Sequence, residues 1–302
     1  MKGLELSKKY YNAFGEELLS AFPELRGKLA AGLCGAGSQC LGFDDGISAD
    51  HDYGPGFCIF ISRGAATEKE MFALERAYAS LPESFCGFSR SGGEGIYGIK
   101  ITEEFLAEKT GSEDAALSIY QWLSLPEQSL LEATCGEIWY DGPGTISKAR
   151  SRLSYFPEDI RLKKLAGEIV IMGQAGLYNF SRCVSRGDTA AAQLSAYEFA
   201  RAAVHAAFLA GRKYMPYYKW RFKALRGLDR LPCEGFAENM EYLISTPCSG
   251  ENAKRKIEII RRTALAYSGG EKDIDSWALE INSRIKDNEI RNMHILAGVT
   301  HE

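Results

Sequence analysis

Between residues 31 and 61 the chain reads AGLCGAGSQCLGFDDGISADHDYGPGFCIFI, and this stretch constrains the fold more tightly than any other. An apolar run stops at Gly37-Ser38, a Gly- and Asp-rich loop follows, and Asp50-His51-Asp52 lead through Gly54-Pro55-Gly56 into a second apolar run. The pattern predicts strand, turn, loop, strand. Alternate residues of an extended segment point to one side, so Asp50 and Asp52 converge on one cation while His51 faces away. Paired hard oxygens suit Mg²⁺, which takes one or two protein carboxylates and completes its shell with water and phosphate oxygens. Gly37 lets the backbone turn sharply and approach a ligand, and Ser38 offers a hydroxyl and an N–H to a phosphate oxygen. Taken alone, Asp-x-Asp in a Gly-rich loop equally describes a solvated turn.

A chain of 302 residues exceeds the usual single core, so two domains are expected. The net charge of −4 disfavours a dedicated nucleic-acid binder, which carries a basic face. Eight cysteines without a CxxC pair, several inside apolar runs, read as buried free thiols of a reduced, cytoplasmic protein. No apolar run is long enough to span a bilayer. Before residue 150 strands and helices alternate. Helical spacing covers 3–20, 67–81 (with Thr67 and Glu70 as a capping box), 102–109, 114–123 and 126–133, with strands at 96–101 and within 136–144 and a loop over 84–95. Beyond it the pattern is helical throughout, at 158–180, 188–211, 216–226, 233–245, 250–268 and 271–287, with Asp188 as an N-cap. The expected fold class is α+β: a small mixed-sheet domain over 1–155, then an all-α bundle over 156–302.

Gly37-Ser38, eleven residues and then Asp50-His51-Asp52 resembles the nucleotidyltransferase signature of the DNA polymerase β superfamily. The longer string GSQCLGFDDGISADHDYGPGF is closer still to a bacterial branch of that superfamily known only as a domain of unknown function. The likeness extends over most of the chain, through WLSLPEQSLLE, GEIWYDGPG, RLSYFPEDIRLKKLA and YMPYYKW. The resemblance implies a small mixed sheet backed by helices, Gly37 and Ser38 on the triphosphate, and Asp50 and Asp52 on Mg²⁺. It also implies transfer of a nucleoside monophosphate, AMP from ATP in the first instance, to a hydroxyl of a small-molecule or protein acceptor. The appended bundle resembles the kanamycin-nucleotidyltransferase-like group and paired transferase and HEPN toxin–antitoxin proteins, where the bundle supplies the acceptor pocket. A homodimer is compatible with it.

The signature calls for a third carboxylate on a neighbouring strand, and IYGIKI has no acid at its centre. The candidates are Glu94, Glu137 and Asp141, with Glu137 favoured because it opens the strand of GEIWYDGPG; an acid merely capping a strand end in water is the competing reading. In the bundle, Lys219 among the aromatics of YMPYYKW and Arg182, beside Asn179 and Arg186, are candidates for neutralising triphosphate charge. Solvated helix cations describe them equally well. Only three residues separate Arg201 from His205, within an Ala-rich apolar stretch, whereas the Arg and His of a HEPN ribonuclease are separated by four to six, and His205 reads as buried and hydrogen-bonded. Two alternatives to catalysis stand: a degenerate nucleotide-binding module, and an antitoxin-like protein that binds a partner.

Overall fold

A computed structural model of the chain describes residues 1–47, 53–90, 96–270 and 273–299. The fold is α+β, and it divides into two compact units, one of residues 1–117 and 128–154, the other of 118–127 and 155–302. The break at residues 154 and 155 lies next to the boundary expected from the sequence. Residues 118–127 differ: they belong with the helical unit.

The first unit opens with α1 (Gly3–Tyr10), a π-helical turn (Tyr11–Gly15), α2 (Glu16–Ser20) and α3 (Pro23–Arg26). There follow β1 (Leu29–Leu33), α4 (Ser38–Leu41), β2 (Cys58–Ile61), α5 (Glu68–Ala79), the short hairpin β3 (Ser84–Phe85) and β4 (Phe88–Ser89), β5 (Gly98–Ile101) and α6 (Thr102–Thr110). After α7 (Ile119–Ser124), which packs in the second unit, α8 (Glu127–Thr134) leads to β6 (Glu137–Asp141) and α9 (Thr145–Arg152). The sheet order is β5-β2-β1-β6; β2 runs antiparallel to β1 and parallel to β5, and β6 runs antiparallel to β1. Period-2 alternation decides the faces. Leu29, Ala31, Ile59 and Ile61 turn to one face, where Tyr10, Tyr11, Leu18, Leu19, Leu74 and Tyr78 bury them. On the other, Phe60 meets Phe105 edge-on, ring centroids 5.2 Å apart.

The second unit is built on a long helical hairpin. Helix α10 (Glu158–Met172) continues through eight π-helical residues (Gly173–Phe180) into α11 (Ser181–Ser185), then returns as α12 (Thr189–Ala210). Asp188 caps α12 by accepting from Ala191 N at 2.9 Å. Helices α13 (Tyr218–Leu225), α14 (Phe236–Ser245), α15 (Gly250–Ser268), α16 (Ile274–Ser283) and α17 (Asn288–Asn292) complete it. The 118–127 segment is held there by chemistry that its own sequence does not display. Trp122 packs edge-on against Phe156 at 5.9 Å, Leu123 O accepts from Lys164 Nζ at 3.1 Å, and the Glu127 carboxylate is buried against His205.

Candidate functional site

Strand register gathers one end of the sheet. Gly32 pairs with Cys58, Cys58 with Gly98, and Leu33 with Glu137, so the C-terminal end of β1 lies beside the N-terminal ends of β2, β5 and β6. The Gly37-Ser38 turn leaves from that end, and residues 53–57 enter β2 there. Gly37 has φ 110° and ψ 150°, a conformation closed to residues with a Cβ; an added Cβ would find open space around it, so conformation rather than crowding calls for glycine. Asp50, Asp52 and Glu94 lie outside the described residues.

Both described flanks of the Asp-x-Asp segment are tied down. Ahead of it, the buried Asp44 carboxylate accepts from Gly3 N at 2.8 Å and stands 3.6 Å from Lys2 Nζ. Behind it, Tyr53 Oη donates to Met1 O at 2.6 Å, and Tyr97 Oη donates to Gly54 O at 2.8 Å while accepting from Gln39 Nε2 at 2.8 Å. Asp44 was not singled out from the sequence; its only signal there is the Asp44-Asp45 doublet within the loop.

Of the third-acid candidates, Glu137 sits at the gathered end of the sheet. Its Oε2 accepts from Lys8 Nζ at 2.7 Å and from Trp139 Nε1 at 2.9 Å. The Lys8 hydrogen bond, opposed by burial and helped by Trp139, holds its carboxyl below the usual range. An open cleft of about 610 Å³ lies beside it, lined by Lys8, Tyr11, Asn12, Trp139 and Arg150 among others. Asp141 is at the opposite end of β6, pairs with Ala30, and caps α9 by accepting from Ser147 N at 2.8 Å. The centre of β5 is Lys100, in register with Phe60 and with Nζ 5.7 Å from the Phe105 ring centroid.

The two cations picked from the helical half are not brought together. Arg182 stacks over Tyr178 at 3.6 Å next to the start of α12, whereas Lys219, 5.0 Å from the Trp220 ring centroid, follows its far end. The 22 residues of α12 span about 33 Å at 1.5 Å per residue.

The densest buried charge lies in the helical unit. His205 Nε2 meets Glu127 Oε1 at 2.6 Å and Nδ1 meets Glu168 Oε1 at 2.7 Å, with all three side chains shut off from solvent. Arg201 Nη1 donates to Glu168 at 3.2 Å and its Nε to Glu198 at 3.1 Å, and Glu127 Oε2 accepts from Met215 N at 2.7 Å. Burial opposes the charge on His205, but Glu127 and Glu168 outweigh it and raise its pKa to about 9. Burial likewise pushes both carboxyls up, and the imidazolium overrides it and lowers them. His205 is thus buried and hydrogen-bonded, as its Ala-rich surroundings in the sequence suggested; that it is a cation locked between two anions, with Glu127 and Glu168 as partners, was not foreseen. With both ring nitrogens engaged, it is a cross-link between helices rather than a free acid or base.

Among the described residues no group of three His, Cys, Asp or Glu side chains is arranged to hold a metal ion, and no helix is long and apolar enough to cross a membrane. The two units thus define an α+β protein with a mixed four-stranded sheet and a charge-stapled helical partner. A family profile described as a domain of unknown function (DUF4037) matches residues 122–221, about a third of the chain. That stretch holds Glu127, Glu137, Glu168, Arg182, Arg201, His205 and Lys219, and stops short of residues 31–61. No curated protein matches the chain.

Proposed function

We propose that the first unit is a Mg²⁺-dependent nucleotidyltransferase domain that moves a nucleoside monophosphate, AMP from ATP in the first instance, onto a hydroxyl of a small-molecule or protein acceptor. The observation that supports this reading is the register that gathers the Gly37-Ser38 turn and the entry to β2 at one sheet end, with both flanks of the Asp-x-Asp segment anchored. The donor chemistry fits the cation: two carboxylates two residues apart offer hard oxygens and leave the remaining positions to water and phosphate. When bound, Mg²⁺ supplies charge neutralisation at the phosphoryl oxygens. The chain's own part is positional. The Gly37 backbone permits close approach to a phosphate, Ser38 donates to it, and Asp50 and Asp52 hold the cation. The acceptor oxygen forms its bond to the α-phosphorus as the bond to pyrophosphate breaks, and the hydroxyl proton passes to solvent. Glu137, already paired with Lys8 and Trp139, is ionised but weakly basic, so in this reading it orients rather than deprotonates the acceptor.

That pairing, together with Lys100 at the centre of β5, favours a second reading in which the domain binds nucleotide without turning it over. In that case the chain acts as a nucleotide sensor or as an antitoxin-like partner-binding protein.

A thermal-shift series with each NTP, with and without Mg²⁺, separates the readings. A ligand at a hundred times its Kd adds about 2.7 kcal/mol of stability. A shift that needs Mg²⁺ and is absent in Asp50→Asn/Asp52→Asn supports the metal–nucleotide site, and pyrophosphate release on adding candidate acceptors then supports turnover. A shift without any pyrophosphate release supports the second reading. If no NTP shifts the wild type, the transferase and nucleotide-sensor readings fail, and partner binding without nucleotide is what is left to test.

A further inference from the structure

The open cleft of about 610 Å³ beside Glu137 follows β6, an edge strand of the sheet. Lys8 Nζ stands 2.7 Å from Glu137 at the start of that strand, and the Tyr11 ring lies 5.3 Å from Trp139 further on, so the N-terminal helical segment runs alongside β6 in the same direction. Two backbone irregularities meet in the cleft. Trp139 is the extra residue of a β-bulge: Ala31 pairs with Tyr140 and Gly32 with Ile138, and Trp139 has no partner between them. Tyr11 opens the π turn that ends at Gly15, where a Cβ would stand 2.3 Å from the Tyr11 ring. Bulges at sheet edges re-aim side chains, and π turns are frequent at functional sites. Here they set two rings, tilted by 35°, as an apolar wall, and the bond from Trp139 Nε1 to Glu137 at 2.9 Å fixes the indole.

Charge is laid out in order along the same cleft. At the start of β6, Lys8 and Glu137 cancel each other. Arg150 is not cancelled. Its Nη2 donates to the carbonyls of Thr134, Cys135 (2.8 Å) and Gly136 (3.1 Å), which fixes the guanidinium without neutralising it. Among the described residues it has no carboxylate partner, and its Nε and Nη1 hydrogens are left for a ligand. Glu16 also lines the cleft, and among the described residues its carboxylate has neither an ion pair nor a hydrogen bond. From Lys8 to Glu16 the helical segment advances about 12 Å at 1.5 Å per residue, slightly less through the π turn. The unmatched cation and anion are therefore too far apart for a single amino acid, whose ammonium and carboxylate share one carbon. An extended chain rises about 3.3 Å per residue, so about three residues join the two ends.

We propose that this cleft binds a short zwitterionic peptide of about three residues, its C-terminal carboxylate on Arg150, its N-terminal ammonium on Glu16, and an apolar central side chain on the Tyr11–Trp139 wall. Charge-assisted hydrogen bonds hold both ends. The direction follows from the placement of the charges: the carboxylate sits at the start of β6, so the peptide runs antiparallel to that strand. Asn12 and Ser147 line the cleft between the ends and offer an amide and a hydroxyl to the peptide backbone. The binding needs neither nucleotide nor Mg²⁺. Use of the peptide as an acceptor would rest on the transferase reading; its binding does not.

The test is isothermal titration calorimetry of the full-length protein, without nucleotide or metal, against the tripeptide Ala-Leu-Ala, its N-acetyl form, its C-terminal amide, and free leucine. The free tripeptide should bind one to one, and each of the other three should bind roughly tenfold or more weakly. In Glu16→Gln the affinity for Ala-Leu-Ala should fall roughly tenfold while that for the N-acetyl form keeps its wild-type value. The Glu16 side chain makes no hydrogen bond or ion pair among the described residues, so this variant keeps the fold; Arg150 also holds backbone carbonyls, and its part is read from the amide peptide instead. The proposal is overturned if the wild type binds no tripeptide at millimolar concentration, if blocking either end leaves the affinity unchanged, if leucine matches the tripeptide, or if Glu16→Gln weakens both forms equally. None of these outcomes depends on a nucleotide-induced shift, so the two readings fail separately.

Discussion

The buried His205 cluster predicts that the helical unit weakens in mild alkali. In the folded state the imidazolium has a pKa of about 9, against an ordinary value of 6.5. At 1.36 kcal/mol per pKa unit, the difference corresponds to about 3 kcal/mol favouring the folded state. Because the folded pKa is the higher one, this contribution is complete below about pH 6.5 and is lost as the pH rises through about 9. For a unit of this size it translates to a fall of roughly 6–12 °C in Tm. The groups around the ring are Glu127, Glu168 and, through Glu168, Arg201; Lys164, Tyr155 and Tyr214 bear on Glu127. Glu127 and Glu168 have lowered pKa values, so their contribution is present above about 4.5 and is lost only as the pH falls below it. Melts followed by far-UV circular dichroism between pH 6 and 9.5 at fixed ionic strength should show the decline in the wild type. His205→Gln should melt lower at pH 6.5 and lack the His-dependent slope, because a neutral amide has no charge to lose. A wild-type Tm that holds or rises toward pH 9, or a parallel slope in His205→Gln, would refute the imidazolium.

Two further outcomes test other parts of the frame. Gly136→Ala should destabilise the first unit by roughly 2–4 kcal/mol in urea titration, because φ is positive there and the new Cβ meets Leu33 O. Lys256→Met should cost roughly 3–5 kcal/mol and speed amide exchange in α14 and α15, since Lys256 Nζ is buried against Gln193 Oε1 at 3.0 Å and Leu243 O at 2.8 Å, and also reaches Thr246 O.

Elements whose signals are local could be read from the sequence. Thr67 and Glu70 form the capping box that the spacing predicted, with Glu70 N to Thr67 Oγ1 at 3.3 Å and Thr67 N to Glu70 Oε2 at 2.7 Å. The apolar runs of FCIFI, IYGIKI and GEIWYDGPG became β2, β5 and β6. What periodicity passes over is a change in winding. Helical spacing ran straight through residues 11–15 and 173–180, where the helix widens to a π turn. Gly15 against Tyr11 and Gly176 against Phe199 mark places where a Cβ would strike a ring, at 2.3 and 2.2 Å. The loop expected over 84–95 contains a hairpin whose turn, Cys86-Gly87, has φ 51° and 82°. A turn with two positive φ values normally announces itself as Asn-Gly or Asp-Gly. The sheet order, with β6 beside β1, and the assignment of 118–127 to the helical unit depend on partners distant in sequence.

The candidate site was legible only where a motif is contiguous. Gly37, Ser38, Asp50 and Asp52 form a single string, whereas the supporting contacts of Asp44 and Tyr53 with residues 1–3 join distant parts of the chain. The same limit misleads about charge in the helices. In EDIRLKKLAGEIVIM, Lys163, Lys164 and Glu168 look like a solvated face, yet all three are buried, because α10 is surrounded by the other helices of its unit. Each is admitted to the interior by partners the local pattern cannot name: Met293 O at 2.7 Å and Asn282 Oδ1 at 3.0 Å for Lys163, Gly298 O at 2.9 Å for Lys164, and His205 with Arg201 for Glu168. A buried charge with its hydrogen-bonding capacity filled by fixed protein groups is structural, since moving a proton or a ligand there would strand its neighbours in a low dielectric. By that criterion His205, for all its perturbed pKa, belongs to the scaffold.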